Sequence, residues 1–315
     1  MKKLSFVKPF IFTLFVLALL SCSQSQEEHV QPIVQKILKT KSAIDNYVKP
    51  NNATKIMYIS AWDFDGTILK GDCSEGYTEN GKQVYKGLAE IAIENGLSKI
   101  YKRNEFKKFF DYYMHLDYTK GHYESYTYLA TIFAGTKEQD LLALSSKYFD
   151  TTLQHYYFAS SIAIIEELKK HNIHIFIISA SPVFFVKGAA KSLSIPENNI
   201  YGITLITKNG MLTNKVIQPV TYAQGKTHTL LSILKLLKEQ YATEHVYVIA
   251  GFGNSYHTDG HFLHYIATQK LPAGKPIAVM INGGTPLQEY KGIFHCVTQT
   301  AVVGKRDSSR LRPSE

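Results

Sequence analysis

The sequence predicts an α/β fold: a Rossmann-like, doubly wound, mostly parallel sheet with an inserted α-helical cap. Three observations predict it. Apolar runs rich in β-branched and aromatic residues, at 56–62, 173–178, 246–250 and 277–280, look like strands buried on both faces. Helical spacing at 160–171 and after Gly225 alternates with them, as parallel βαβ units require. Between the first two strands lies a tyrosine-rich block, 71–158, with helical spacing and no clear strand; as an insertion it would form a lid.

Taken in order, the chain opens with Lys2, Lys3 and Lys8, then residues 10–20, in which Thr13 is the sole polar residue. That run is too short to cross a bilayer comfortably and has the length of a signal-peptide core. It ends in Leu19-Leu20-Ser21-Cys22, which resembles the lipobox of bacterial lipoproteins. The resemblance implies a signal peptide over 1–21, a lipidated Cys22, a membrane partner reached through that lipid, and a place in the bacterial cell envelope. An ordinary secretory signal cut elsewhere is the alternative. Residues 23–35 are polar and read as a weakly structured tether, within an N-terminal segment spanning 22–52.

The formal charge of +9 overstates the body of the protein. Three lysines lie in the signal region, and the 305–315 tail carries Lys305, Arg306, Arg310 and Arg312 against Asp307 and Glu315. About four positive charges remain elsewhere, too few to argue for a nucleic acid partner. Besides Cys22 there are Cys73 and Cys296, with no CxxC and no zinc-type spacing, and the sequence leaves their pairing open.

The first strand runs straight into Asp63-Phe64-Asp65-Gly66-Thr67. Residues i and i+2 of a strand point the same way, so Asp63 and Asp65 leave its carboxyl end toward one place. Gly66 permits a turn that a side chain would obstruct. Adjacent carboxylates repel unless a cation sits between them or one keeps a proton, which suits a metal-assisted nucleophile and acid pair. Taken alone, the motif is more often an acidic cap or turn.

In the inserted block, 82–96 has helical spacing through Val84, Leu88, Ile91 and Ala92, and 104–116 is a second helical segment. Thr136-Lys137-Glu138-Gln139 has the form of a capping box opening a third helix. The second strand ends in Ser179-Ala180-Ser181-Pro182, which predicts a helix with Ser181 as N-cap and Pro182 in its first turn. The N–H groups of such a junction suit an anion. Asn209-Gly210 signals a hairpin, Lys226 opens an amphipathic helix, and the third strand leads into Gly253-Asn254-Ser255 and Asp259. Ligands of such a sheet bind beyond the carboxyl ends of its strands.

This ordered set resembles the haloacid dehalogenase superfamily of phosphohydrolases. Asp63-Phe64-Asp65-Gly66-Thr67 is similar to its first motif, DxDx(T/V), and Ile177-Ile178-Ser179 to its second. Lys226 before a helix fits the third, and residues 253–259 fit the GDxxxxD form of the fourth. The position of the insertion resembles the phosphoserine phosphatase-like branch. The resemblance implies an α/β core over 53–70 and 159–300 and a cap over 71–158; residues 301–315 read as a flexible basic tail. It implies a phosphatase in which Asp63 is the nucleophile and Asp65 the acid and base. Ser179, Lys226, Gly66 and Ala180 would bind phosphate, and Asp63, Asp65 (through its carbonyl), Asn254 and Asp259 would hold Mg²⁺. Asn254 stands where the family usually has Asp, which predicts weaker metal binding with Asp259 carrying more of the load. Asp72 and Glu75 would contact a substrate amine.

Other readings are weaker. Gly225-Lys226-Thr227 looks like the end of a Walker A loop, but Val220 stands where that loop needs glycine. Gly251-Phe252-Gly253 lacks the third glycine of a dinucleotide fingerprint. His257, His261 and His264 share a helical face but read as surface residues more readily than as a zinc site. The tyrosines are mostly cap packing, with a few as an aromatic wall favouring a quaternary ammonium group, as in a phosphocholine or phosphoethanolamine phosphatase. A phosphomutase, or an inactive surface-binding lipoprotein on the same fold, completes the alternatives.

Overall fold

The computed structural model describes residues 30–48 and 55–304. Its strands are β1 (Met57–Trp62), β2 (Gly76–Glu79), β3 (Lys82–Lys86), β4 (Ile173–Pro182), β5 (Ile200–Ile203), β6 (Leu205–Lys208), β7 (Met211–Val216), β8 (Val246–Gly253), β9 (Ile277–Ile281) and β10 (His295–Val297). Its longer helices are α1 (Val30–Val48), α2 (Leu88–Glu94), α3 (Phe106–Lys120), α4 (His122–Thr131), α5 (Glu138–Thr151), α6 (Ala159–Lys170), α7 (Gln224–Tyr241) and α8 (Gly260–Thr268).

Six strands form one sheet in the order β10-β9-β8-β1-β4-β5, with neighbours parallel. The doubly wound α/β architecture expected from the sequence is therefore present. Period-two alternation sorts the strands' side chains into two layers. Tyr58, Trp62, Ile175 and Ile177 join the core shared with α1 and α6, whereas Ile59, Ala61, Phe176 and Ile178 join that shared with α7 and α8. The Trp62 ring stacks on Phe252 at 3.7 Å between centroids, locking β1 to β8. From β1 the chain winds to β4 and β5 on one side, then returns to β8 and β9 on the other. The carboxyl end of β1 is thus the switch point where such a sheet opens a crevice.

The structure departs from the sequence reading in five places. First, the inserted block contains strands: β2 and β3 pair antiparallel, and the expected helix over 82–96 begins only at Leu88. The turn between them is Asn80-Gly81, both at positive φ, a hairpin dipeptide that the apolar spacing of 82–96 concealed. Second, β4 continues through Pro182, so Ser181 is a strand residue and Pro182 precedes the helical turn at Val183–Val186. Third, the Thr136 capping box does not form: Thr136 Oγ1 donates to the Leu97 carbonyl, and Lys137 caps α5. Fourth, α1 already begins at Val30 and buries Ile33, Val34, Ile37 and Ile44 against α6 and β8. Their i, i+3, i+4 recurrence makes one apolar stripe, so residues 30–35 belong to the core and not to a tether. Fifth, residues 301–304 are hydrogen-bonded to residues 155–159 and do not form a free tail. The signal segment, Cys22, the rest of the tether and residues 305–315 lie outside the described residues.

The cap (β2, β3 and α2 to α5) closes over the switch point. The β6–β7 hairpin, turning at Asn209-Gly210 as expected, clasps it through Gly135 N–H to Leu212 O at 2.8 Å and Leu212 N–H to Thr136 O at 2.9 Å.

Because Ile37 is fully buried, Ile37→Ala is expected to cost about 2–5 kcal/mol, the usual range for a buried Ile. A urea titration followed by circular dichroism measures it, and a shift near zero would show α1 to be an appendage.

Candidate active site

Burial makes the chemistry of this site. At the end of β1, Asp63 accepts a hydrogen bond on Oδ2 from Thr67 Oγ1 at 2.8 Å. Its Oδ1 lies 2.5 Å from Lys226 Nζ, in the first turn of α7. The same ammonium lies 2.6 Å from Asp259 Oδ1, and all three side chains are buried. Asp259 Oδ2 accepts the backbone N–H groups of Asn254 and Ser255, at 2.9 and 3.0 Å, so it shapes the loop after β8. Burial alone would lower the Lys226 ammonium, but Asp259 and Asp63 hold it above its ordinary value. Burial, then Asp259, pushes Asp63 up to about 6, against the pull of Lys226.

Asp65 sits in a different cradle. Its Oδ1 accepts Cys73 N–H at 2.7 Å, and its Oδ2 accepts Ser181 Oγ at 2.7 Å and, more distantly, Ser179 Oγ at 3.4 Å. Burial and then the neighbouring Asp72 and Asp63 raise its pKa well above the carboxylate range. That direction favours the protonated form, the one a general acid needs, while the hydrogen bonds from Cys73 and Ser181 pull the other way. Gly66, at φ +72°, turns the chain beneath Asn254: a Cβ there would come within 1.9 Å of Asn254 Nδ2. Only a glycine fits both the conformation and the contact.

Asp63 and Asp65 open onto a cavity of about 360 Å³, bordered also by Gly66, Asp72, Glu75, Ala180, Ser181 and Asn254. Cap side chains Tyr113, His122 and Tyr126 form its far wall. Asp72 accepts the N–H groups of Ser74 and Glu75, and burial raises its pKa. Glu75 accepts the Tyr113 hydroxyl; burial and then Asp72 push it up to about 7. His122 Nδ1 lies 2.6 Å from Asp117 Oδ1, and the imidazole stacks on Tyr126.

Of the residues expected from the sequence, Asp63, Asp65, Gly66, Asp72, Glu75, Ala180 and Asn254 border the cavity. Lys226, Asp259 and Ser179 stand directly behind it. Ser179 is fully buried, and its Oγ accepts Ser181 N–H at 3.0 Å. Asp259 was expected to carry cation load; both its oxygens are engaged with Lys226 and the 254–255 amides. The sequence reading missed Ser181 and Cys73 as site residues, whereas Tyr113 and Tyr126, among the cap tyrosines it offered as an aromatic wall, do border the cavity. Ser181 was findable, because it lies two residues beyond Ser179 on the same face of β4. Cys73 arrives from the cap loop, which no local pattern announces. Cys73 is buried and Cys296 exposed, and neither is in a disulfide.

The donor set can be tested against a hard cation. The Asp63 and Asn254 side chains both border the cavity and offer oxygen, the donor type that Mg²⁺ takes. The cluster of Asp65, Asp72 and Cys73 is a poorer fit. Burial raises its thiol well above the ordinary range, so the group stays protonated and donates to Asp65. Soft sulfur also does not suit a hard cation. His257, His261 and His264 form no such cluster among the described residues.

Paired carboxylates at a switch point, a buried ammonium between two of the site's acids and a capping insertion suit a group-transfer enzyme of the α/β class. Residues 61–259 match the haloacid dehalogenase-like hydrolase model, and the chain belongs to that family. Among curated proteins there is no match. The fold is similar to that of a protein with unknown function from Bordetella pertussis Tohama I, at TM-score 0.57 and 10% identity, covering 77% of this chain and 99% of that one. It is also similar to a conserved functionally unknown protein from Anaerococcus prevotii DSM 20548, at TM-score 0.52 and 13% identity over 80% and 85% of the two chains. A substrate-bound phosphoserine phosphatase aligns at TM-score 0.42 and 16% identity, covering 78% of this chain and 93% of that one.

Glu75 provides a pH test. Its folded pKa, about 7, exceeds its ordinary 4.5. The folded chain therefore binds the proton more tightly, and that stabilisation is full below pH 4.5 and lost as pH rises through about 7. Glu75→Gln, uncharged at every pH, is expected to flatten the fall of Tm across that window in calorimetry. An identical fall in both proteins would place the Glu75 pKa outside it.

Proposed function

We propose that this hydrolase is a phosphatase of small phosphomonoesters, working through an aspartyl-phosphate on Asp63 with Mg²⁺ as cofactor. The observation that carries this reading is the pairing of the two carboxylates: Asp63 on a buried ammonium, and Asp65 oriented by Ser181 and Cys73 where burial and neighbouring acids raise its pKa. An ionised Asp63 attacks phosphorus, the bond from phosphorus to the leaving oxygen breaks, and Asp65 gives its proton to that oxygen. Asp65 then takes a proton from the water that cleaves the acyl-phosphate, which restores both carboxyls and frees phosphate. Lys226 and the backbone beside Ala180 stabilise charge on the transferring group. Asp63, the Asp65 carbonyl and Asn254 would hold Mg²⁺, which supplies charge screening between anionic nucleophile and anionic substrate.

The cap wall favours a substrate with a cationic group. Asp72 and Glu75 supply acid, and Tyr113 and Tyr126 supply aromatic faces that attract ammonium. Phosphocholine, phosphoethanolamine and phosphoserine carry such a group. At the other end of the chain, the Cys22 motif supports a lipid anchor in a bacterial envelope, a reading that rests on the sequence.

Phosphate release from a panel of those esters and neutral ones, with and without Mg²⁺, tests the reading. Asp63→Asn is expected to lower turnover by at least about 10³-fold, as loss of a covalent nucleophile does; surviving Mg²⁺-dependent turnover would remove Asp63 from the role. Asn254→Asp is expected to lower the Mg²⁺ concentration for half-maximal rate, since it restores a negative ligand. An unchanged Mg²⁺ titration would show that Asn254 does not touch the cation.

A further inference from the structure

Gln299 lies beyond the residues that match the family and away from the cavity, yet its buried side chain reaches the loop that carries the nucleophile. Its Nε2 donates to the Thr67 carbonyl at 2.9 Å, and Ser161 Oγ donates to the same carbonyl at 2.7 Å. Its Oε1 accepts Ser160 Oγ and lies 3.1 Å from Ser161 Oγ, whose one proton it shares with the Thr67 carbonyl. Thr67 in turn donates its hydroxyl to Asp63. One amide thus ties the Asp63 loop, at the first cap linker, to the start of α6, just after the second.

Gln299 is itself held. Its N–H donates to Asn282 Oδ1 at 2.9 Å and its carbonyl accepts Asn282 Nδ2 at 2.8 Å, at the end of β9. The two cap linkers pair with each other through Lys70 N–H to Tyr156 O at 2.9 Å and Phe158 N–H to Ile68 O at 2.8 Å. Residues 301–304 then add a third strand. Ala159 N–H donates to Ala301 O at 2.9 Å, Val303 N–H to Tyr157 O at 2.8 Å, and Gly304 N–H to His155 O at 2.9 Å. A cap moves by dihedral change in its linkers, and these linkers are stitched into a ribbon whose outer strand is fixed to the sheet.

We propose that Gln299 is a positioning residue: with residues 301–304 it clamps both cap linkers and, through Thr67, sets the orientation of Asp63. An amide suits the task because it donates to a carbonyl and accepts from hydroxyls at once. The kinetic part of the proposal rests on the phosphatase reading; the clamp itself does not.

The test uses the full chain, p-nitrophenyl phosphate with Mg²⁺, and hydrogen–deuterium exchange. Gln299→Met keeps the length and removes every side-chain hydrogen bond. Exchange in segments 64–70 and 155–161 is expected to accelerate about tenfold or more while β8 keeps its wild-type rate. For this variant kcat is expected to fall about tenfold with KM within about twofold, the signature of a misaligned nucleophile. Val303→Pro removes one ribbon bond and leaves Gln299 intact, so faster exchange is expected in 155–159 alone with kcat unchanged. Unchanged exchange in both linkers, or acceleration that extends equally to β8, overturns the clamp. Faster linker exchange with an unaltered kcat overturns the positioning of Asp63. If Gln299→Met does not fold, the exchange pattern of Val303→Pro decides. If the wild type releases no nitrophenol, the phosphatase reading fails while the exchange comparison still decides the clamp.

Discussion

The buried ammonium of Lys226 between Asp63 and Asp259 is the interaction on which the site depends. Desolvating three charges is expensive, and removing one partner from such a set typically costs about 3–5 kcal/mol because a charge is left buried and unpaired. The arrangement therefore acts less as a source of stability than as a fixed frame. It joins the end of β1, the first turn of α7 and the loop after β8, three places far apart in the sequence. It also leaves one carboxylate in excess, so the sheet edge stays attractive to a cation while Asp63 is held in one orientation.

Around that frame the molecule separates two tasks. The sheet edge supplies Asp63 and Asp65, the proposed reacting groups, beyond the end of β1. The cap supplies acid and aromatic groups: Asp72 and Glu75 on the loop before and into β2, Tyr113 on α3, and Tyr126 on α4. The two halves meet at Asp65, which takes hydrogen bonds from Ser181 on the sheet and from Cys73 on the cap loop. With the cap in place, burial and the nearby Asp72 raise the Asp65 pKa, against the hydrogen bonds from Cys73 and Ser181.

Much of this was legible in the sequence where the signal is local. Asp63 and Asp65 follow a strand by two-residue alternation, and Lys226 opens a helix with clear apolar spacing. The hairpin in the cap was equally local, in Asn80-Gly81, but Val84 and Leu88 happen to sit at helical spacing and the longer pattern obscured the shorter one. The helix from Val30 shows the converse. Its first residues look polar in composition, and only the i, i+3, i+4 stripe extending to Ile44 reveals a buried face.

By itself the sequence determined the α/β class, the order along the chain of the four central strands β1, β4, β8 and β9, and the identity of the charged residues that follow β1 and β8. Each of these is written in a period of two or of three to four residues, or in a glycine that a turn requires. Only the tertiary structure decided how those charges are shared. Asp259 faces Lys226 and two backbone amides, Ser181 reaches Asp65 while Ser179 lies behind, and Gln299 braces Thr67 across 232 residues. Such assignments depend on which oxygen points at which proton once the strands are side by side, and no spacing along a chain encodes that.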